Sequence, residues 1–167
     1  MAMIDALLAE LEQESHATRR VLERVPQAHL GWKPHAKSMS LGQLALHVAT
    51  VPGNVAELAS MDTIPEPPVF VQQEAATAAE LVPALTASVA KARQHLGGFD
   101  DAAMGATWRL MMNGKEIMAM PRAAFVRAIM LNHWYHHRGQ LLVYLRLLDV
   151  PVPSVYGPTA DENPFAA

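Results

Sequence analysis

The sequence predicts an all-α fold: a four-helix bundle with one small β-hairpin between the third and fourth helices. Three observations carry that expectation. Four long segments repeat apolar residues at helical spacing, and an Asn-Gly pair sits midway between the last two. The composition, 51% apolar and 17% charged, also suits an ordinary globular core. At 167 residues the chain favours a single domain, 1–167, large enough to bury a core without disulfide staples.

The first helix is read from Ile4, Leu7, Leu8, Leu11, Ser15, Thr18, Leu22 and Val25, which share one arc at roughly 100° per residue. Pro26 ends it. Ser15 and Thr18 interrupt the apolar stripe. They are either small residues easing a close helix contact or a polar wall on an internal cavity.

The second helix has the clearest start. Ser40 caps, Gln43 follows at capping-box spacing, and Met39 with Leu44 makes a hydrophobic staple. Its buried face is Leu41, Leu44, Val48, Val51, Val55 and Leu58. Pro52 falls inside that pattern and predicts a kink near Val48 or an early end.

Residues 61–73 contain Pro65, Pro67 and Pro68 and read as a connection long enough to cross the bundle. Thr77 and Glu80 have capping-box spacing for a third helix carrying Leu81, Leu85, Val89, Ala92 and Leu96. Pro83 conflicts with that start and would delay it by a turn. Gly97 and Gly98 stop the helix.

The hairpin, Thr107 to Met120, is centred on Asn113-Gly114, a pair that favours a type I′ turn. A simple two-residue register sets Trp108 against Ala119 and Leu110 against Ile117, with Arg109 and Glu116 as diagonal neighbours on the other side. A lone hairpin is marginal in water, so its apolar side should dock on the bundle. Pro121 suits the first turn of a fourth helix running to about Asp149. The proline-rich tail from Val150 should be irregular, with Tyr156, Gly157 and Phe165 as its anchors.

The chain has no cysteine and eight histidines. That excludes a disulfide scaffold, a thiolate metal site and a cysteine nucleophile, and leaves imidazole and carboxylate as metal ligands. A formal charge of -3 argues against a nucleic-acid partner. No apolar run approaches a membrane span, and the start does not read as a signal peptide, so a cytoplasmic protein without a membrane partner is expected.

On the fourth helix Val126, Met130, His133, His137, Leu141, Tyr144 and Leu148 fit an arc of roughly 80°. His133 and His137 leave the same face one turn apart and can converge on one metal ion. His136 lies roughly 100° away and is the poorer candidate. Two buried imidazoles without a metal would need hydrogen-bond partners that an apolar stripe does not supply. A third ligand should come from another helix. His47 flanks the buried face of the second helix, where it is either a core-edge histidine bonded to a carbonyl or that ligand. His16 points to solvent, and His95 lies near a helix C-terminus. His29 and His35 reach the site only if the loop around Trp32 folds over it.

His47 within residues 40–51, the His133/His137 pair and the run "QLLVYLRLLDVPVPSVYGPTAD" together resemble the DinB-like, damage-inducible superfamily. The segment "GWKPHAKSMSLGQLALHVA" ahead of and into the second helix has the same likeness, which spans nearly the whole chain. The resemblance implies an up-down-down-up bundle, a homodimer, and a divalent metal ion, zinc or nickel, held by His47, His133 and His137. Some members of that superfamily are metal-dependent thiol transferases or isomerases, and many have no established activity. "Damage-inducible" describes the induction of relatives, not a chemistry on DNA.

A metal on three neutral imidazoles keeps a position open for water or an external thiol. The expected function is therefore that of a metal-dependent transferase or hydrolase acting on a small molecule, with a low-molecular-weight thiol as cosubstrate. The alternative is a non-catalytic metal-binding stress-response or interaction protein. No general base is evident, and Ser15, Thr18, Asn132 and Tyr144 are the loose candidates for the pocket wall.

Overall fold

A computed structural model describes residues 2–166. It contains α1 (Met3–Leu22), α2 (Leu41–Ser60), α3 (Leu81–Leu96) and a short α4 (Asp101–Gly105). The last long helix, α5, runs through three consecutive segments, Arg122–Phe125, Val126–Asn132 and His133–Leu147. Strands β1 (Thr63–Ile64), β2 (Thr107–Met112) and β3 (Lys115–Pro121) form one small sheet in that order.

Side-chain bonds between the helices set their directions. Ser88 meets α2 at Gly53 and Lys91 meets it at Glu57, so α2 and α3 run parallel. Arg19 bonds Thr86 and Arg93 bonds Glu12, which makes α1 and α3 antiparallel. Arg122 bonds the Ala59 carbonyl and Trp134 bonds that of Val48, so α5 runs against α2. The topology is up-down-down-up. The parallel step from α2 to α3 requires the long connection, whose middle passes along the outside of α2.

The capping box at Ser40 and Gln43 is formed in both directions, at 3.1 and 2.9 Å. The box at Thr77 and Glu80 is also present, but it opens a 3₁₀ turn, and α3 proper starts at Leu81. Pro83 then falls in the first turn, where its missing N–H leaves no bond unmade.

Pro52 does not end α2, which continues for two more turns. A proline cannot donate to the carbonyl four residues back, so the Val48 oxygen lacks its helical partner. The indole of Trp134, fully buried on α5, donates to that oxygen at 2.8 Å. One residue on, Gly53 lies so close to α3 that an added Cβ would stand 2.8 Å from the Ser88 carbonyl oxygen. The Ser88 hydroxyl accepts from the Gly53 N–H at 2.8 Å and donates to the Thr50 carbonyl at 3.1 Å. The irregular stretch of α2 is thus tied to both neighbours.

The hairpin turns at Asn113 and Gly114, both with positive φ, 51° and 72°. Close to the turn the simple register holds, with Met112 facing Lys115 and Met111 facing Glu116. Beyond it Leu110 faces Met118 and Trp108 faces Met120, because Ile117 is an extra residue in a β-bulge. The expected pairs Trp108–Ala119 and Leu110–Ile117 are therefore displaced by one. The Arg109–Glu116 contact survives at 3.1 Å. Trp108 docks the sheet, stacking on Phe125 at 3.9 Å and donating to the Leu58 carbonyl. The two-residue β1, which lies in the expected connection, pairs with β2 in parallel.

The middle segment of α5, Val126–Asn132, is π-helical and holds one turn more loosely than an α-helix would. The angular phase of the residues that follow is thereby shifted. In the final segment the buried line is Trp134, Arg138, Leu141 and Leu145, while His133, His137 and Tyr144 stand half-buried beside it. The two histidines therefore edge the apolar stripe instead of centring it. The tail after α5 is irregular. Tyr156 bonds back to Glu14, whereas Phe165 is 78% exposed and anchors nothing. No helix among the described residues is long and apolar enough to cross a membrane.

Candidate metal centre

The antiparallel packing of α2 on α5 puts His47 opposite His133, one residue from the Val48–Trp134 tie. His137 follows one turn along α5. The structure brings all three sequence-selected histidines together, each half-buried, with one ring nitrogen apiece within 4.8 Å of the others. The Nε2 atoms of His47 and His133 are 3.1 Å apart. The rings meet in T-shaped arrangements, with centroids 4.4 to 5.3 Å apart.

Electrostatics keeps these rings neutral. Burial first, then the neighbouring imidazoles His137 and His133, pushes His47 down to about 4. Burial likewise lowers His133 and His137; repulsion from nearby histidines adds to it, and at His137 the Gln140 hydrogen bond partly opposes it. The lone pairs that protons would otherwise occupy are therefore available for a cation at neutral pH.

The donor set fits a divalent metal. Nitrogens bonded tetrahedrally at about 2.0–2.1 Å stand about 3.3 Å from one another. The His47–His133 spacing of 3.1 Å lies close to that distance, and the three ligand atoms all lie within 4.8 Å of one another. Three imidazoles with no fourth His, Cys, Asp or Glu grouped with them among the described residues are the pattern of an open site and not of a closed structural one.

Gln140 sits behind His137, and sequence reasoning did not single it out. Its Oε1 lies 2.8 Å from His137 Nδ1, and its Nε2 lies 3.0 Å from His136 Nε2. An amide oxygen only accepts, so this contact places the proton on Nδ1 and leaves Nε2 of His137 free for the centre. The signal for it was an amide three residues after a ligand candidate, on the same helix face.

The three rings form the floor of a cleft of about 660 Å³. Its walls are apolar side chains of α2, Ile129 of α5, and the extended strap at residues 69–73. Thr50, Asn54, Gln72 and Gln73 are its other polar residues. The expected polar wall is not the observed one. Ser15 bonds back to Glu12, Thr18 takes a hydrogen bond from buried Arg138, Asn132 is exposed, and Tyr144 packs on Trp32 and reaches the Met39 carbonyl. None of these four lines the cleft. The loop around Trp32 is held by Tyr144 and does not bring His29 or His35 to the centre. His16 and His95 also stay away, and exposed His136 touches it only through Gln140 and the ring of His137.

Comparison with known proteins agrees with this architecture. The DinB family model matches residues 1–164 of the chain. The uncharacterized protein YrdA of Bacillus subtilis is 24% identical over 168 residues, 95% of this chain and 91% of that protein. A solved DinB-like protein from Bacillus cereus superposes with a TM-score of 0.67 at 21% identity, covering 91% of this chain and 97% of that one. A second, from Bacillus subtilis, also gives 0.67, at 17% identity and with coverage of 90% and 97%.

Proposed function

The chain belongs to the DinB family, and from that premise we propose that it is a metal-dependent transferase or hydrolase acting on a small molecule. His47, His133 and His137 would hold a divalent ion, zinc or nickel, and a low-molecular-weight thiol is the cosubstrate of the transferase form. The observation that carries this reading is the convergence of three neutral imidazoles on the floor of an open cleft.

When bound, such an ion supplies Lewis acidity and favours the deprotonated form of a thiol or water at neutral pH. The chain's own residues do the rest. Gln140 orients His137 and fixes its tautomer, and apolar residues of α2 wall the cleft beside the three rings. The sulfur or water oxygen forms a bond to an electrophilic carbon, the leaving group departs with its electron pair, and the nucleophile's proton passes to solvent. Solvent takes that proton because no carboxylate is found among the described lining residues. The same feature favours the second reading, a metal-binding protein without catalysis.

Metal analysis and turnover separate the two. The purified protein is expected to carry close to one divalent ion per chain. Its turnover of a panel of esters and of electrophiles with thiols is expected to vanish on chelation and return on reloading. Turnover that survives metal removal overturns the mechanism, while bound metal with no turnover across the panel favours the second reading.

A further inference from the structure

The cleft above the imidazoles is lined in a way that restricts its occupant. Among its described lining residues none is Lys, Arg, Asp or Glu. The hydroxyl of Thr50 already donates to the Leu46 carbonyl at 2.9 Å, so the uncharged amides of Asn54, Gln72 and Gln73 are the remaining side-chain donors besides the histidines. Val51, Val55 and Leu58 of α2 line it together with Ile129 of α5.

The outer wall is more unusual. Val69, Phe70 and Val71 are 91%, 70% and 76% exposed, yet all three line the cleft. Three consecutive apolar residues in water are unfavourable unless something covers them. They are also held in place. Glu66 accepts from the Asn113 N–H of the hairpin, the Gln72 carbonyl accepts from Gln43, and Ala75 donates to the Gly42 carbonyl on α2. Pro67 and Pro68 stiffen the stretch between those ties. An apolar tripeptide is thus fixed at the mouth of a polar-floored cleft, facing an apolar helix wall.

We infer that the cleft selects an uncharged small molecule with an aliphatic or aromatic body, gripped between α2 and Phe70, and one polar head directed at His47, His133 and His137. This rests on the reading of the three histidines as a metal centre and goes beyond it by naming the substrate class. A carboxylate on the body would find no Lys or Arg among the described lining residues to balance its charge. The charged parts of any thiol cosubstrate therefore stay at the solvent mouth, and the electrophilic partner is the one that fills the cleft.

The test is a ligand series on the cobalt-loaded protein, read by the visible absorption of the ion. Acetohydroxamate, hexanohydroxamate and the monohydroxamate of adipic acid share one metal-seeking head and differ in body and charge. The hexano compound is expected to bind at least about tenfold tighter than the aceto compound, from burial of its methylenes. The terminal carboxylate of the adipic compound should erase most of that gain. Phe70→Ala, at an exposed position where the fold is not at stake, should weaken the hexano compound by about threefold or more and leave cobalt affinity unchanged. Equal binding across the series, or tighter binding of the carboxylate, overturns the inference while the metal reading stands. A Phe70→Ala variant that keeps the full preference but changes its oligomeric state assigns the strap to contact between copies, and also overturns it. Failure to take up cobalt overturns the metal reading, and this inference with it.

Discussion

Two polar clusters occupy adjacent faces of α5, built on neighbouring residues, and they are opposites in kind. On one face His133 and His137 meet His47 of α2. On the other, Arg138 meets Glu14 of α1 at 2.6 Å and donates to the Glu14 carbonyl and to Thr18. Tyr156 from the tail donates to the Glu14 carboxylate at 2.9 Å. Nearby, Arg127 and Tyr135 of α5 both bond Glu10 of α1. The arginine face is complete. Two cations meet two anions, and no buried side-chain polar atom among the described residues lacks a partner. The histidine face holds three bases of the same kind and no counter-charge. A cluster that balances itself joins elements of the fold, whereas one that lacks its complement is built for something brought from outside.

The first way to break that comparison is to delete His133 and His137 together. The double alanine variant should lose bound metal to background, measured on the purified protein by elemental analysis. Its metal-free stability should stay within about 1 kcal/mol of the parent, because half-exposed rings carry little of the core. A large loss of metal-free stability would move this face into the structural class.

Arg138→Leu is the converse. It strands Glu14, whose side chain is only 10% exposed, and removal of one partner from a buried pair costs about 3–5 kcal/mol. Denaturant unfolding should show that loss, with metal affinity changed little in the folded protein. Gln140→Leu comes next. It frees the His137 ring to adopt the wrong tautomer and is expected to lower metal affinity by about 10- to 100-fold without comparable loss of stability. If metal titration of that variant matches the parent, the amide does not position the ring.

The smallest effect is a pH dependence on the arginine side. Hydrogen bonding to Arg127 is the largest cause holding the Glu10 carboxyl below its ordinary 4.5. A depressed folded-state value adds stability that is present above about pH 4.5 and lost as the pH falls through the lower, folded-state value. Glu10→Gln removes it. The stability gap between parent and variant, under about 1 kcal/mol for so exposed a pair, should be present at pH 7 and close on acidification. A gap that widens in acid would contradict the sign.

The long helices were legible because each buries one face, and a buried face writes a 3.6-residue period into the chain. The Asn-Gly turn was legible because few residue pairs tolerate two positive φ angles. The histidine pair followed from the same periodicity, and His47 needed the resemblance to single it out from other flank positions. Local pattern could not show the bulge at Ile117, since an extra residue leaves the alternation intact on either side of it. Nor could it show the π-helical stretch that turns Arg138 inward and His133 to the edge. A buried arginine contradicts pattern and is explained by Glu14 and Thr18, each more than a hundred residues away. The strap was equally hidden. Val69, Phe70 and Val71 sit beside prolines in a segment with no period, and their place over the imidazoles comes from ties to α2 and the hairpin.

Pro52 lowers the helical quality of α2, and the Val48 oxygen it frees is the atom to which Trp134 attaches. A regular helix is self-similar, so a partner can slide along it by a turn and find much the same surface. A single vacated acceptor breaks that translational symmetry and marks one address along the rod. A slip of α5 by one turn, about 5.4 Å, would leave both the indole and the carbonyl without partners and draw His133 away from His47. Restoring the regular helix by Pro52→Ala would improve α2 in isolation and blur that address. The irregularity in one helix thus acts as the index mark by which two helices bring their imidazoles to the same point.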